Sequence, residues 1–182
     1  MKMRAAILLL LLLVPMCGAQ ACEHVNIYTE LKELKAMVTK LKTNADIMKV
    51  AFSAGLTESG VVVSGGNELN LVFSKVTTNV GEAYDSATGF FTAPVKGVYF
   101  FRFNVMDHPK YRYMHIMMFK NNDRLMYLDE YDTDGHSTHL SGGITLELAV
   151  EDKVNLRLPA GNQLFDDSRN HCIFTGFLVF LL

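Results

Sequence analysis

The sequence has no Gly-X-Y repeat, and a collagen triple helix admits only Gly at every third position, so a collagen stalk is excluded. It has no G-x-S-x-G elbow, no P-loop and no H-E-x-x-H pair, the short motifs of nucleophilic hydrolases, nucleoside-phosphate binders and zinc peptidases. Nothing in it marks an enzyme. Ordinary N-glycosylation is also unexpected, because no Asn-x-Ser/Thr sequon occurs and Asn170-His171-Cys172 is only an atypical acceptor. A membrane span needs ~20 apolar residues, and the N-terminal apolar block, residues 5–14, ends at Pro15.

That block follows Lys2 and Arg4 and leads into the small-residue triplet Ala19-Gln20-Ala21. This is the pattern of a secretory signal peptide over residues 1–21, with cleavage after Ala19 or after Ala21. Removing Lys2 and Arg4 leaves 15 basic residues against 19 acidic ones, a mildly acidic chain unsuited to nucleic acid or an anionic membrane as a general partner. Of the three cysteines, Cys17 leaves with the signal peptide. Cys22 lies in what reads as a flexible polar leader, and an interchain disulfide is its expected use. Cys172 opens an apolar run, where a packed thiol is expected. An internal Cys22–Cys172 bridge is the alternative.

Residues 22–48 form the leader and a short helix. Ile27, Leu31, Leu34, Val38, Leu41, Ala45 and Met48 recur at heptad spacing, with Leu31, Leu34, Val38 and Leu41 at the core positions of a coiled coil. The same residues also fit a single amphipathic helix docked on its own domain. So short a coil is marginal alone, and tethering to a downstream oligomer would stabilise it.

After Gly55 the period changes to two. In residues 144–150, Ile144, Leu146, Leu148 and Val150 alternate with polar positions, and Val154, Leu156 and Leu158 repeat the device across a Glu151-Asp152-Lys153 turn. The spacing predicts a hairpin there. Further strands are expected over 73–76, 97–106, 113–120 and 124–130. No long amphipathic helix is available to cover these strands, so they must cover each other in a sandwich or barrel. Residues 113–119 and 173–182 are apolar on both faces, as when a second cover, such as another subunit, closes the outer side. For Met114, Met117 and Met118 core packing is the expected role.

Phe73, Asn79, Tyr84, Phe91, Gly97, Tyr99, Phe101 and Phe103 resemble the signature of the globular C1q domain at all eight constrained positions. Residues 174–180, with Gly176 and Phe177, look like that family's closing strand, and residues 50–56 like its opening strand. The resemblance covers residues 49–182 and implies an all-β, ten-stranded jelly-roll sandwich of the C1q and tumour-necrosis-factor superfamily, assembled as a homotrimer and preceded here by the short coiled coil. The signature residues, with Gly176 and Phe177, are expected in the core; Gly97 is expected to permit a tight turn into its strand. Phe100, which alternation puts on the face of Arg102 and Asn104, is the residue expected to meet a neighbouring subunit.

The collagen-free layout is similar to precerebellin-like and soluble C1q-like proteins. It implies a secreted, multivalent, non-enzymatic binder of microbial or cell-surface ligands in innate immunity, or alternatively a signalling ligand of a cell-surface receptor. His136 and His139 lack a third ligand for zinc and are expected beside a solvated loop. Asp132 and Asp134 imitate the start of a calcium loop, but Ser141 stands where its closing Glu belongs, so an EF-hand is excluded. A weak calcium site at Asp132 and Asp134 stays open against a solvated loop.

Overall fold

The computed structural model describes residues 15–47, 49–108 and 112–182. Residues 1–14 of the expected signal peptide and Met48 of the heptad series lie outside them. The chain divides after Asp46 into two compact units.

The first unit holds helix α1 (Pro15–Ile47) except for its last residue. The 33 residues of α1 correspond to about 50 Å at 1.5 Å per residue. Because α1 begins upstream of the heptad series, Cys22 belongs to the helix rather than to a flexible leader. Leu31, Leu34, Val38 and Leu41 are all exposed in the single chain.

The second unit contains thirteen strands among the described residues. They are β1 (Ala51–Gly55), β2 (Gly60–Val63), β3 (Leu69–Asn70), β4 (Lys75–Val80), β5 (Tyr84–Asp85), β6 (Phe90–Thr92), β7 (Gly97–Asp107), β8 (Tyr113–Lys120), β9 (Asp123–Tyr131), β10 (Thr138–Leu148), β11 (Lys153–Leu158), β12 (Gln163–Asp166) and β13 (Ile173–Leu181). The resemblance implies ten strands; of the thirteen described, β3, β5 and β6 are short, at two or three residues each. A front sheet runs β10-β7-β13-β1-β4 and a back sheet β5-β6-β11-β8-β9, with β3 on β11 and a separate β12-β2 ribbon. The result is the jelly-roll sandwich.

Alternation fills the space between the sheets. From β7, Tyr99, Phe101, Phe103 and Val105 point inward and are fully buried; from β8, Met114, Ile116 and Met118 meet them. Phe52 of β1 stacks on Tyr84 with ring centroids 4.5 Å apart and touches Phe174 edge-on at 4.9 Å. Phe91 meets Phe101 edge-on at 5.1 Å. Such ring pairs add ~0.5–1.5 kcal/mol each beyond area burial.

The signature is also a hydrogen-bonded clamp. Asn79 Nδ2 donates to Tyr84 O and its Oδ1 accepts from Tyr84 N, closing the turn from β4 into β5. The Tyr84 hydroxyl in turn donates to Phe73 O and accepts from Phe73 N. Asn79 is thus half-buried as a turn clamp, not a core residue, and Phe73 sits ahead of β4 instead of opening it.

Two other expectations need correction. The strands flanking Glu151-Asp152-Lys153 are not a hairpin: β10 pairs with β7 in the front sheet, whereas β11 pairs with β8, β6 and β3 in the back sheet. The turn carries the chain from one sheet to the other, which leaves Val150 exposed. Gly97 is already the first residue of β7, and its importance is lateral. A Cβ there would lie 2.7 Å from Leu178 Cδ1 and from Phe180 O on β13, where that strand bulges.

The 166–172 turn hangs on one buried carboxylate. Asp166 Oδ2 accepts from the backbone N–H of Leu56 and Thr57, and Oδ1 from those of Asp167, His171 and Cys172, at 2.7–3.3 Å. The end of β1 and the start of β13 are thereby tied to one side chain.

Gly176 and Phe101 test the core from opposite directions. A Cβ on Gly176 would come within 2.5 Å of Phe101 and 2.7 Å of Phe52. Gly176→Ala is expected to cost ~1–3 kcal/mol by overpacking and Phe101→Ala ~3–5 kcal/mol by leaving a cavity. Urea unfolding measures both, and an unchanged midpoint for either variant contradicts this packing.

Candidate functional site

The strands that bury Phe101, Phe103 and Phe174 present their other face outward. On that face of the front sheet Phe100 of β7 is paired in register with Phe177 of β13, and their rings lie 5.6 Å apart. Phe177 is 41% exposed, Val179 48% and Phe180 47%. Phe177, expected in the core, is therefore a surface residue. Gly176 and Phe177 are neighbours on one strand and cannot face the same side, and Gly176 is the inward one. The alternation itself carried that signal.

Further along the same face the chemistry turns polar. Ser53 of β1, Thr175 of β13 and Arg102 of β7 stand side by side in register, with Asn104 next along β7. They line a cavity of about 370 Å³ together with Phe103 and Ile173. No motif in the sequence pointed to this row, because its members are distant in the chain and individually ordinary.

The back sheet differs. Met117 and Phe119 of β8 also face outward, yet both are buried. The Arg157 guanidinium lies over the Phe119 ring at 3.9 Å and is held by Glu68 Oε1 at 3.0 Å. Met114 and Met118 pack in the core, as expected, whereas Met117 is buried on the outer face instead. At the outer edge Tyr113, Tyr127 and Tyr131 stay exposed, and the Tyr127 hydroxyl hydrogen-bonds His115 Nδ1 at 3.0 Å. The second face of β8 is thus closed by the chain's own side chains, while that of β13 is open.

His136 and His139 are exposed, as expected. Asp132 is not: it is buried, and its Oδ1 accepts from the N–H groups of Asp134 and Gly135, while Asp134 Oδ1 accepts from His136 N. The two candidate calcium carboxylates shape their own loop. Among the described residues no three His, Cys, Asp or Glu side chains are grouped to hold a metal. No described helix is long and apolar enough to cross a membrane.

Comparison with known proteins fits this geometry. A family model described as "C1q domain" matches residues 51–179. Complement C1q tumor necrosis factor-related protein 3 of Mus musculus is 35% identical over 133 residues, covering 73% of this chain and 52% of the relative. Complement C1q and tumor necrosis factor-related protein 9A of Homo sapiens is 33% identical, covering 72% and 39%. The chain spans about half the length of these curated relatives or less. Among solved structures, the globular domain of zebrafish complement 1qA protein is similar with a TM-score of 0.58 at 22% identity, covering 74% of this chain and 99% of that one. Murine APRIL gives 0.58 at 9% identity, covering 72% and 99%. At these identities the structural likeness shows the fold.

Within the matched span Cys172 is free and fully buried. Its Sγ accepts from Met106 N at 3.3 Å and donates to Phe165 O at 3.3 Å. Burial, with Asp166 and Asp107 adding to it, pushes the thiol up to about 12. The thiol is accordingly neutral and unreactive in the folded protein. Alkylation by iodoacetamide at pH 8 is expected to leave Cys172 unmodified in the native state and to modify it rapidly in urea. As pH rises past the unfolded thiol's value, only the unfolded chain ionises, so this residue's share of stability falls toward pH 12. Rapid native modification contradicts the placement.

Proposed function

The chain belongs to the C1q domain family, and from that membership we propose that it is a secreted, non-enzymatic binding protein whose heads assemble as a homotrimer and recognise microbial or cell-surface ligands multivalently. One observation carries the assembly. Phe177, Val179 and Phe180 are exposed and, with the half-buried Phe100 against Phe177, form an aromatic and aliphatic patch on the front sheet; contiguous exposed apolar surface of this kind marks an interaction site. Three copies meeting through unlike patches close into a ring without leaving an open edge.

Helix α1 supplies a second contact. Leu31, Leu34, Val38 and Leu41 are exposed at heptad positions, and a trimeric head raises their effective concentration enough for a short coil to form. Cys22, on the same helix, serves as an interchain disulfide joining chains into larger assemblies, and residues 1–21 direct secretion. Weak contacts repeated on three heads give an avidity ~10²–10⁴ above that of one head.

The ligand is a microbial surface in innate recognition. The likeness to proteins named complement C1q tumor necrosis factor-related favours a second reading, a signalling ligand for one receptor. Pull-down on microbial particles and on host-cell membranes, each with and without calcium, separates the two. Retention on microbes supports the first reading, saturable retention on host membranes alone supports the second, and binding to neither contradicts both. The double variant Phe100→Ser, Phe177→Ser is expected to fold, to run as a monomer and to lose retention by at least ~100-fold, the avidity of a multivalent head. Full retention by a monomeric variant contradicts multivalent recognition.

A further inference from the structure

We infer that the polar half of the front sheet is an oxyanion site centred on Arg102, filled by a free anion of sulfate or phosphate size when subunits assemble. The inference rests on the assembly proposed above. Its cavity, about 370 Å³, is lined by Ser53, Arg102, Asn104 and Thr175 with Phe103 and Ile173, and no carboxylate lines it.

The hydrogen-bond inventory of this cavity leans to donors. Arg102 is exposed, and its guanidinium, with five N–H groups and no acceptor, makes no ion pair among the described residues. Ser53 Oγ and Thr175 Oγ1 are 3.1 Å apart. One of their two protons closes that bond, and the other is left to donate elsewhere. Asn104 Nδ2 gives one proton to His171 O at 2.6 Å and keeps its second. Guanidinium, hydroxyl and amide hydrogens therefore face one space from adjacent strands. The acceptors there are neutral, and none offsets the positive charge.

Assembly through this sheet sharpens the requirement. The apolar patch around Phe100 and Phe177 lies on the same face as Arg102, one alternation along β7. Bringing copies together on that patch takes Arg102 of each copy out of water. Burying an unpaired charge is strongly unfavourable. An oxyanion satisfies the guanidinium in its favoured two-pronged geometry and takes the spare hydroxyl and amide hydrogens.

The test uses the mature chain at constant ionic strength, with sodium phosphate replacing sodium chloride, and reads thermal midpoint and sedimentation on the same samples. A saturable rise in the wild-type midpoint is expected, with half-saturation shifted at least ten-fold in Arg102→Gln. That variant is expected to stay trimeric without phosphate, since its assembly buries no charge there. An equal, non-saturating rise in both proteins is the general exclusion effect of such salts and overturns the site. A trimeric wild type indifferent to phosphate overturns it as well, as when a neighbour's carboxylate fills the cavity. A wild type monomeric at every phosphate concentration overturns instead the assembly on which the site rests.

Discussion

The packing of Phe52 against Tyr84 and Phe174 is the contact on which the rest of the molecule depends. Phe52 comes from β1, Phe174 from β13 beside it, and Tyr84 from β5 in the opposite sheet, so one ring joins the two layers. Gly176 makes that possible, because a Cβ there would occupy the space of the Phe101 and Phe52 rings. Tyr84 is then fixed twice more, by Asn79 at its backbone and by Phe73 at its hydroxyl. The spacing of Phe73, Asn79 and Tyr84 is the arithmetic of this clamp.

Once the inward face of β7 and β13 is committed to aromatics, the outward face is determined by alternation. Phe100 and Arg102 stand between Tyr99, Phe101 and Phe103, and Thr175 and Phe177 flank Gly176. The same strands therefore carry both the core and the surface proposed for assembly. On β8 the equivalent outer residues, Met117 and Phe119, are closed over by Arg157 and its neighbours. The asymmetry between the sheets gives the molecule a direction: one face is finished and the other is not.

Much of this was legible in the sequence. The change from heptad spacing to period two located the boundary between helix and sandwich, and the aromatic spacing identified the core of β6 and β7. What escaped were features of tertiary origin. The turn at Glu151-Asp152-Lys153 has the composition of a hairpin, but composition does not say which sheet the next strand joins. Asp166 looks like any surface aspartate, and its five backbone donors come from two segments more than a hundred residues apart. Asp132, read as either a weak calcium ligand or part of a solvated loop, is buried because its loop folds back on its own carboxylate. The Arg102 row exists only across three strands that are remote in sequence.

The central claim is that the front sheet, and not α1 alone, drives self-association. Sedimentation equilibrium of residues 49–182, which lie within the second compact unit and hold all thirteen described strands, tests it most directly. A mass three times that of the chain, held across micromolar dilution, is the predicted result. A folded monomer at all concentrations would contradict it.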